Sequence, residues 1–151
     1  MQNINSFTYV ISSANAASGD AENCYIDLDP LPQNYDWYSV QCTGFIMNCD
    51  SLATGHPHYV LLVADDLAED GYYQGFDSNQ CVISYMNTDD SISQMTSGEG
   101  SLFKVKNFRQ KRRIHFSLYE PDLTPMSGVV DDSATTYWCI SLLFTPILEL
   151  N

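Results

Sequence analysis

Eight separate stretches of this chain have the patterns of β-strands: most alternate apolar and polar residues, whereas residues 59–64 form a continuous apolar run. A period of two is typical of β-strands that bury one face, and residues 23–29 show it clearly, with Cys24 and Ile26 on one side and Asp27 on the other. No stretch has the period of an amphipathic helix, and the chain contains no internal repeat. The predicted strands are residues 6–12, 23–29, 37–49, 59–64, 81–86, 102–106, 113–119 and 137–145.

The longest of these stretches, residues 37–49, contains a glycine near its middle. Gly44 predicts a β-bulge or a bend there, because an isolated glycine within a strand pattern often marks such an irregularity. The alternation predicts that Val40, Cys42 and Ile46 share one face of the strand.

Eight short antiparallel strands with long connections predict an all-β fold, a single eight-stranded antiparallel jelly-roll sandwich. An immunoglobulin-like sandwich is the main alternative. The strong last strand, which contains Trp138, and several connections of ten or more residues favour the jelly roll. The length of 151 residues fits a single jelly-roll domain over residues 1–151, with one sizeable core.

Charge is distributed very unevenly along the sequence. The chain has 19 acidic and 6 basic residues and a formal net charge of −13, yet charged residues make up only 17% of it. A surface so poor in charge is compatible with large contacts to other protein chains. All six basic residues fall within residues 104–113, the basic segment, which contains no acidic residue: Lys104, Lys106, Arg109, Lys111, Arg112 and Arg113.

The basic segment is predicted to be a protein-interaction site. A surface that is tuned only for solubility intersperses charges of both signs, whereas the rest of this chain has no lysine or arginine. The favoured partner is an acidic protein surface, including that of a second copy of the chain, which opposite charge would attract over about 8–10 Å at cellular salt. Nucleic acid is the less favoured partner, because the acidic remainder of the chain repels phosphates.

No pattern of a catalytic, cofactor or metal site stands out in the sequence. Glycine-rich phosphate loops, the Gly-x-Ser-x-Gly elbow and Cys-x-x-Cys pairs are all absent. His56 and His58 lie near the acidic residues that begin at Asp65, but two histidines without a fixed third ligand are more typical of a turn. A catalytic pair could be assembled in space from Cys81 and His115, although nothing in the sequence singles it out. We therefore predict neither an enzyme nor a bound metal or cofactor.

A group of aromatic residues provides the alternative function. Jelly rolls also serve as lectins, so a carbohydrate-binding or adhesion module is the competing hypothesis. In strands and adjoining loops, however, aromatic residues more often belong to the core or to a subunit contact. The candidate platform for stacking sugar rings consists of Tyr35, Trp37, Tyr38, Tyr72 and Tyr73.

Cysteine usage indicates a reducing compartment. The cysteines are odd in number and widely spaced, so buried free thiols are favoured over disulfides. The first residues lack the basic and apolar regions of a signal peptide, and no stretch approaches 18 apolar residues, so neither a signal peptide nor a membrane-spanning helix is predicted. The five cysteines are Cys24, Cys42, Cys49, Cys81 and Cys139.

Two segments at each end of the chain carry a resemblance to a known family. At the N-terminal end, residues 11–28 read ISSANAASGDAENCYIDL and residues 34–40 read NYDWYSV. At the C-terminal end, residues 114–122 read IHFSLYEPD and residues 137–144 read YWCISLLF. These segments resemble the opening and the final pair of strands of single-jelly-roll capsid proteins of nucleocytoplasmic large DNA viruses and virophages.

The resemblance implies a structural protein of the virion. It implies a penton subunit or a minor capsid protein that assembles into an icosahedral shell through protein–protein contacts. Such a subunit would form a homo-oligomer, a pentamer in the case of a penton, and would bind other capsid proteins with acidic surfaces. It would reside in the capsid of the virion and would be assembled in the cytoplasm of the host cell.

Overall fold

The described residues of the chain form two antiparallel β-sheets. This computed structural model describes residues 6–31, 35–48, 59–65, 67, 80–87, 102–106, 112–126 and 137–148. Within these ranges the only helical piece is a 3-10 turn at Ser13–Asn15. The strands are β1 (Phe7–Ser12), β2 (Ser18–Gly19), β3 (Asn23–Asp27), β4 (Trp37–Asn48), β5 (Tyr59–Asp65), β6 (Gln80–Asn87), β7 (Leu102–Lys106), β8 (Arg113–Tyr119) and β9 (Tyr137–Pro146). All eight predicted strands are confirmed, and the short β2 is an addition within a predicted loop.

The strand order is that of a jelly roll. Sheet A has the order β1-β9-β4-β7 and sheet B has the order β2-β3-β8-β5-β6. The first strand therefore pairs with the last, and the chain crosses repeatedly from one sheet to the other. In an immunoglobulin-like sandwich the first two strands would pair in one sheet, whereas β1 and β3 lie in different sheets here. The prediction of an all-β antiparallel jelly-roll sandwich is confirmed.

The core lies between the two sheets and is filled by alternate side chains of both. Trp138 of β9 occupies a central place in it, because three different parts of the chain contact this one residue. Its ring lies against Phe116 of β8, with 5.3 Å between the ring centroids. Its indole Nε1 donates a hydrogen bond of 2.9 Å to the carbonyl oxygen of Ala21, and its backbone N–H donates one of 2.9 Å to Ser13 Oγ. Trp138 thus connects sheet A, sheet B and the β1–β3 connection.

The bulge that Gly44 predicts is present in β4. The register with β9 shifts between Cys42 and Gly44, so one extra residue interrupts the alternation. Beyond the shift, Phe45 is buried in the core and Ile46 points outward with 46% of its surface exposed. The prediction that Ile46 shares a face with Val40 and Cys42 is therefore wrong, because an extra residue in a strand reverses the side of every later side chain.

Four of the five cysteines lie within the described residues, and all four are free thiols, as predicted. Three of them are buried, and burial raises the pKa of the Cys24 thiol to about 12. Cys139, on β9, is the partly exposed one of the four. Burial raises the pKa of Cys42 and of Cys139 as well, so these two and Cys24 lack the depressed pKa of a reactive thiolate. Cys49 lies outside the described residues.

Substituting Gly19 with alanine should destabilise the fold. Gly19 has a φ of +88°, and an added Cβ would lie 2.1 Å from the carbonyl oxygen of Asn23 on the paired strand. We expect the free energy of unfolding to fall by roughly 1–3 kcal/mol, because both backbone strain and a clash with backbone result. Gly44→Ala is the matched control, since its Cβ would meet Ser141 Cβ at an ordinary 4.0 Å. Equal losses for the two variants in urea unfolding would contradict the prediction.

Candidate interaction surfaces

The basic segment passes from one sheet to the other. Lys104 and Lys106 are exposed on β7, which is an edge strand of sheet A. Arg113 is exposed at the start of β8 in sheet B, and Arg112 is exposed directly before it. Arg109 and Lys111 lie outside the described residues. The four described cations therefore do not form one row, although the sequence places all of them within ten residues.

Strand register brings most of these cations to one end of the sandwich. Lys106 pairs with Trp37 at the beginning of β4, and Arg113 pairs with Asp27 at the end of β3. The end of β3 and the beginning of β4 are joined by one connection, so they lie at the same end of the sandwich. Lys106, the last residue of β7, and Arg113, the first residue of β8, therefore lie at that end as well. This end of the sandwich carries Lys106, Arg112 and Arg113.

The two lysines of β7 occupy different local environments. Lys106 Nζ lies 5.3 Å from the centroid of the Trp37 ring, which is within the range of a cation–π interaction. Lys104 pairs in register with Ser39 and is exposed. Lysines on an edge strand also discourage unwanted pairing with the strands of other molecules. Both side chains can therefore protect the edge and attract an acidic partner.

Arg113 is engaged within the chain. Its guanidinium donates two hydrogen bonds to the Asp27 carboxylate, from Nε to Oδ1 at 2.6 Å and from Nη2 to Oδ2 at 2.9 Å. The two residues lie directly opposite each other on β8 and β3. The hydrogen bond from Arg113 lowers the pKa of the Asp27 carboxyl, while the carboxylate raises the pKa of Arg113. The charge of Arg113 is thus offset internally, which weakens its part in the predicted docking site.

The outer face of sheet A is nearly free of charge. None of the residues of β1, β4 and β9 is acidic or basic, and Lys104 and Lys106 supply the charges of β7. Three apolar or aromatic side chains project from this face, with exposed fractions of 61% for Val10, 46% for Ile46 and 44% for Tyr137. This combination of features is typical of the centre of a protein–protein interface, which is depleted in charge.

The outer face of sheet B instead carries a polar cluster around His115. Its Nδ1 donates to Asp65 Oδ2 at 2.6 Å, and its Nε2 lies 2.7 Å from Asn23 Oδ1 and 3.3 Å from Ser117 Oγ. The Tyr25 ring stacks on the imidazole, with 4.6 Å between the centroids. These side chains come from β3, β5 and β8, so a single imidazole connects three neighbouring strands.

The order Ser117, His115, Asp65 has the connectivity of a hydrolase triad, but the serine is not accessible in the described part of the chain. Ser117 is only 6% exposed, and Asn23 lies closer to Nε2 than the serine hydroxyl does. The arrangement is therefore suited to fixing three strands rather than to acyl transfer.

The structure separates the other candidate site residues. Cys81 belongs to the core cluster while His115 lies on the outer face of sheet B, so they do not form the catalytic pair that was considered. Tyr38 is buried and Tyr35 packs edge-on against it, so these two do not join an exposed sugar-binding platform. His56, His58, Tyr72 and Tyr73 lie outside the described residues.

Two further properties can be stated for the described part of the chain. It contains no group of three or more His, Cys, Asp or Glu side chains that could hold a metal ion. None of its helical structure is long and apolar enough to cross a membrane. Among the described residues, the candidate surfaces are the outer face of sheet A, the two lysines that border it and the basic end of the sandwich.

The Asp27–Arg113 pair should make stability dependent on pH in acid. The pKa of Asp27 is lower in the folded protein than in the unfolded chain, so its stabilising effect is present above the unfolded value and is lost as the pH falls through the folded value. An NMR titration should show the Asp27 carboxyl returning to an ordinary pKa in Arg113→Gln. Arg112→Gln, the neighbouring control, should leave the titration unchanged. A low Asp27 pKa that survives in Arg113→Gln would refute the assignment.

Comparison with known proteins adds no functional information. The chain was compared with protein-family models, with characterised proteins and with solved structures, and none of the three comparisons found a match. The strand order and the distribution of charge and apolar surface are therefore the observations from which a function can be inferred.

Proposed function

We propose that this chain is a structural subunit of a viral shell, a jelly-roll penton or minor capsid protein that acts by binding other protein chains. Two observations support the proposal. The strand order is that of a jelly roll, and segments near both ends of the sequence resemble single-jelly-roll capsid proteins of large DNA viruses and virophages. Because jelly rolls have many functions, the fold alone does not indicate a capsid protein, and the properties of the surface are needed to support that function.

The observation that carries the proposal is the uncharged outer face of sheet A. Charged residues make up 17% of the chain, yet the three neighbouring strands β1, β4 and β9 contain none. Protein interfaces exclude charge from their centre and keep it at the rim, where it steers association and sets orientation. Val10, Ile46 and Tyr137 would fill the centre of the contact, and Lys104 and Lys106 would form part of its rim.

The partners that fit this surface are acidic proteins. A subunit of a shell contacts further copies of itself, as a pentamer in the case of a penton, and other capsid proteins. Nucleic acid fits less well, because the described cations are divided between two sheets and Arg113 already bonds to Asp27. The proposed location is the capsid of the virion, assembled in the cytoplasm of the host cell.

A carbohydrate-binding or adhesion module is the alternative. The buried position of Tyr38 and the lysine over the Trp37 ring both count against an open aromatic platform among the described residues. A glycan array distinguishes the two functions, since selective binding of a sugar has no place in a purely architectural subunit.

Reversing both lysines of β7 should block incorporation into shells. Lys104→Glu/Lys106→Glu replaces attraction to an acidic partner with repulsion, and we expect incorporation to fall at least ~10-fold, as for close charge pairs at a rim. The fold should survive, because both side chains are exposed on an edge strand. The assay is co-sedimentation of labelled chain with particles assembled in its presence.

The lysines of β7 are changed in place of Arg113, because a substitution of Arg113 would lower the stability of the fold as well as any docking. Arg113→Glu would place two carboxylates opposite each other, because Arg113 pairs with Asp27, and would destabilise sheet B as well. Lys104→Gln/Lys106→Gln is the graded control. It removes the attraction without adding repulsion, so incorporation into particles should fall by less than in the double glutamate variant. Incorporation of the double glutamate variant at the level of the unmodified chain would contradict the docking role of β7.

A further inference from the structure

β1 is an edge strand of sheet A with one open side. Among the described residues it pairs with β9 alone, and the pairing runs without a shift from Phe7 to Ser12. In an antiparallel pair, alternate residues turn their backbone N–H and C=O groups toward the partner strand, and the residues between them turn theirs away. An edge strand therefore presents the backbone groups of every second residue to another chain.

The contacts of Trp138 show which residues of β1 face away from β9. The backbone N–H of Trp138 donates to Ser13 Oγ at 2.9 Å, so this amide points toward the β1 side of β9. Alternation along the two strands then makes Ile11 bond to β9 and turns the backbone groups of Thr8 and Val10 to the open side. Thr8 is exposed, and Val10 is exposed to 61%. The open side of β1 therefore offers backbone donors and acceptors on two exposed residues.

The other edge strands are protected in the described part of the chain. β7 carries Lys104 and Lys106, and charged side chains hinder pairing with a further strand. β2 has only two residues, and a very short edge strand is itself a form of protection. On β6, no residue in the range 81–84 exposes more than 2% of its surface. β1 instead has six residues, none of which is charged or a proline.

The part of β4 that extends beyond β7 is also protected, in this case by burial. The alternation that turns Val10 outward turns Cys139 toward β4, so its register partner Ile46 bonds to β9. The neighbours Phe45 and Met47 then direct their backbone groups away from β9, and they are 0% and 3% exposed. Among the described strands, β1 is therefore the one whose open side carries exposed residues and no charge.

We infer that β1 accepts an extended segment of another protein chain, which pairs with Thr8 and Val10 and adds a fifth strand to sheet A. The segment is uncharged and alternates apolar and polar residues. Its side chains would lie alternately beside Val10 on the outer face and beside Phe7 and Tyr9, which pack against the core. The added strand would enlarge the uncharged outer face that β1 borders. The inference rests on the proposed function only for the source of the segment, a neighbouring chain of the shell.

Amide hydrogen exchange, measured by NMR on the purified full-length chain, tests the site. The probe is a short capped peptide of alternating threonine and valine at millimolar concentration. It should slow exchange of the Thr8 and Val10 amides at least ~3-fold, because a paired amide exchanges only when the ladder opens. The Ile11 amide already bonds to β9 and should be unaffected. The control peptide has the same side chains but methylated backbone nitrogens, so it cannot donate and should have no effect.

Val10→Pro tests the backbone contact itself. The change removes an outward N–H and no bond to β9, so the fold should persist, as proline is tolerated where the N–H of an edge strand faces solvent. Affinity for the peptide should fall at least ~10-fold, because a backbone hydrogen bond is lost and the ring obstructs the added strand. Val10→Thr is the matched control, which keeps the N–H and should retain the affinity. If Val10→Pro does not fold by circular dichroism, Thr8→Pro makes the same change on the same side.

Three results would each overturn the strand site: no slowing of exchange at Thr8 and Val10, equal binding of the methylated peptide, or full binding by the proline variant. Assembled particles separate the inference from the proposed function. If the chain enters particles and its Thr8 and Val10 amides exchange as fast as in the isolated chain, the function stands and the inference is overturned. If β1 binds the peptide but the chain never enters particles, the strand site is supported and the function is overturned.

Discussion

The pairing of β9 with both β1 and β4 is the constraint on which the rest of the structure depends. The last strand lies between the first and the fourth, in continuous register from Phe7↔Phe144 to Ser12↔Cys139 on one side and along most of β4 on the other. Sheet A therefore becomes continuous only when the two ends of the chain meet. Trp138 then joins this sheet to Phe116 of sheet B, so the same strand also fixes how the sheets pack.

This central position of β9 also explains the division of the surface. β1, β4 and β9 have apolar residues on the core side and uncharged residues on the outer side, whereas sheet B carries the Asp27–Arg113 pair and the cluster around His115 on its outer face. A charged residue in the middle of sheet A would have little effect on folding if it pointed to solvent. The proposed contact with other protein chains would account for its absence from three strands.

Local sequence patterns were sufficient for the strands but not for the surfaces. Alternation, together with the apolar run at residues 59–64, predicted all eight long strands, and the long connections and the last strand favoured the jelly roll over its alternative. Gly44 predicted a bulge or a bend, but the sequence did not show that an extra residue is inserted there. Ile46 was therefore predicted on the wrong face of β4. The contacts of His115 with Asp65 and of Arg113 with Asp27 join strands that are distant in sequence, so they become visible only once the strand order is known.

Cys139 provides the most direct test of the central claim that sheet A is a contact face. Its partly exposed thiol lies opposite Ile46 in the middle of that face, whereas Cys24, Cys42 and Cys81 are buried in the core. Maleimide labelling of the unmodified chain, followed by peptide mass spectrometry, reads each thiol separately. The account predicts that Cys139 is labelled in the isolated chain and is protected in particles into which the chain has been incorporated, while the three core thiols stay slow in both. Equal labelling of Cys139 in the isolated chain and in the particles would contradict it.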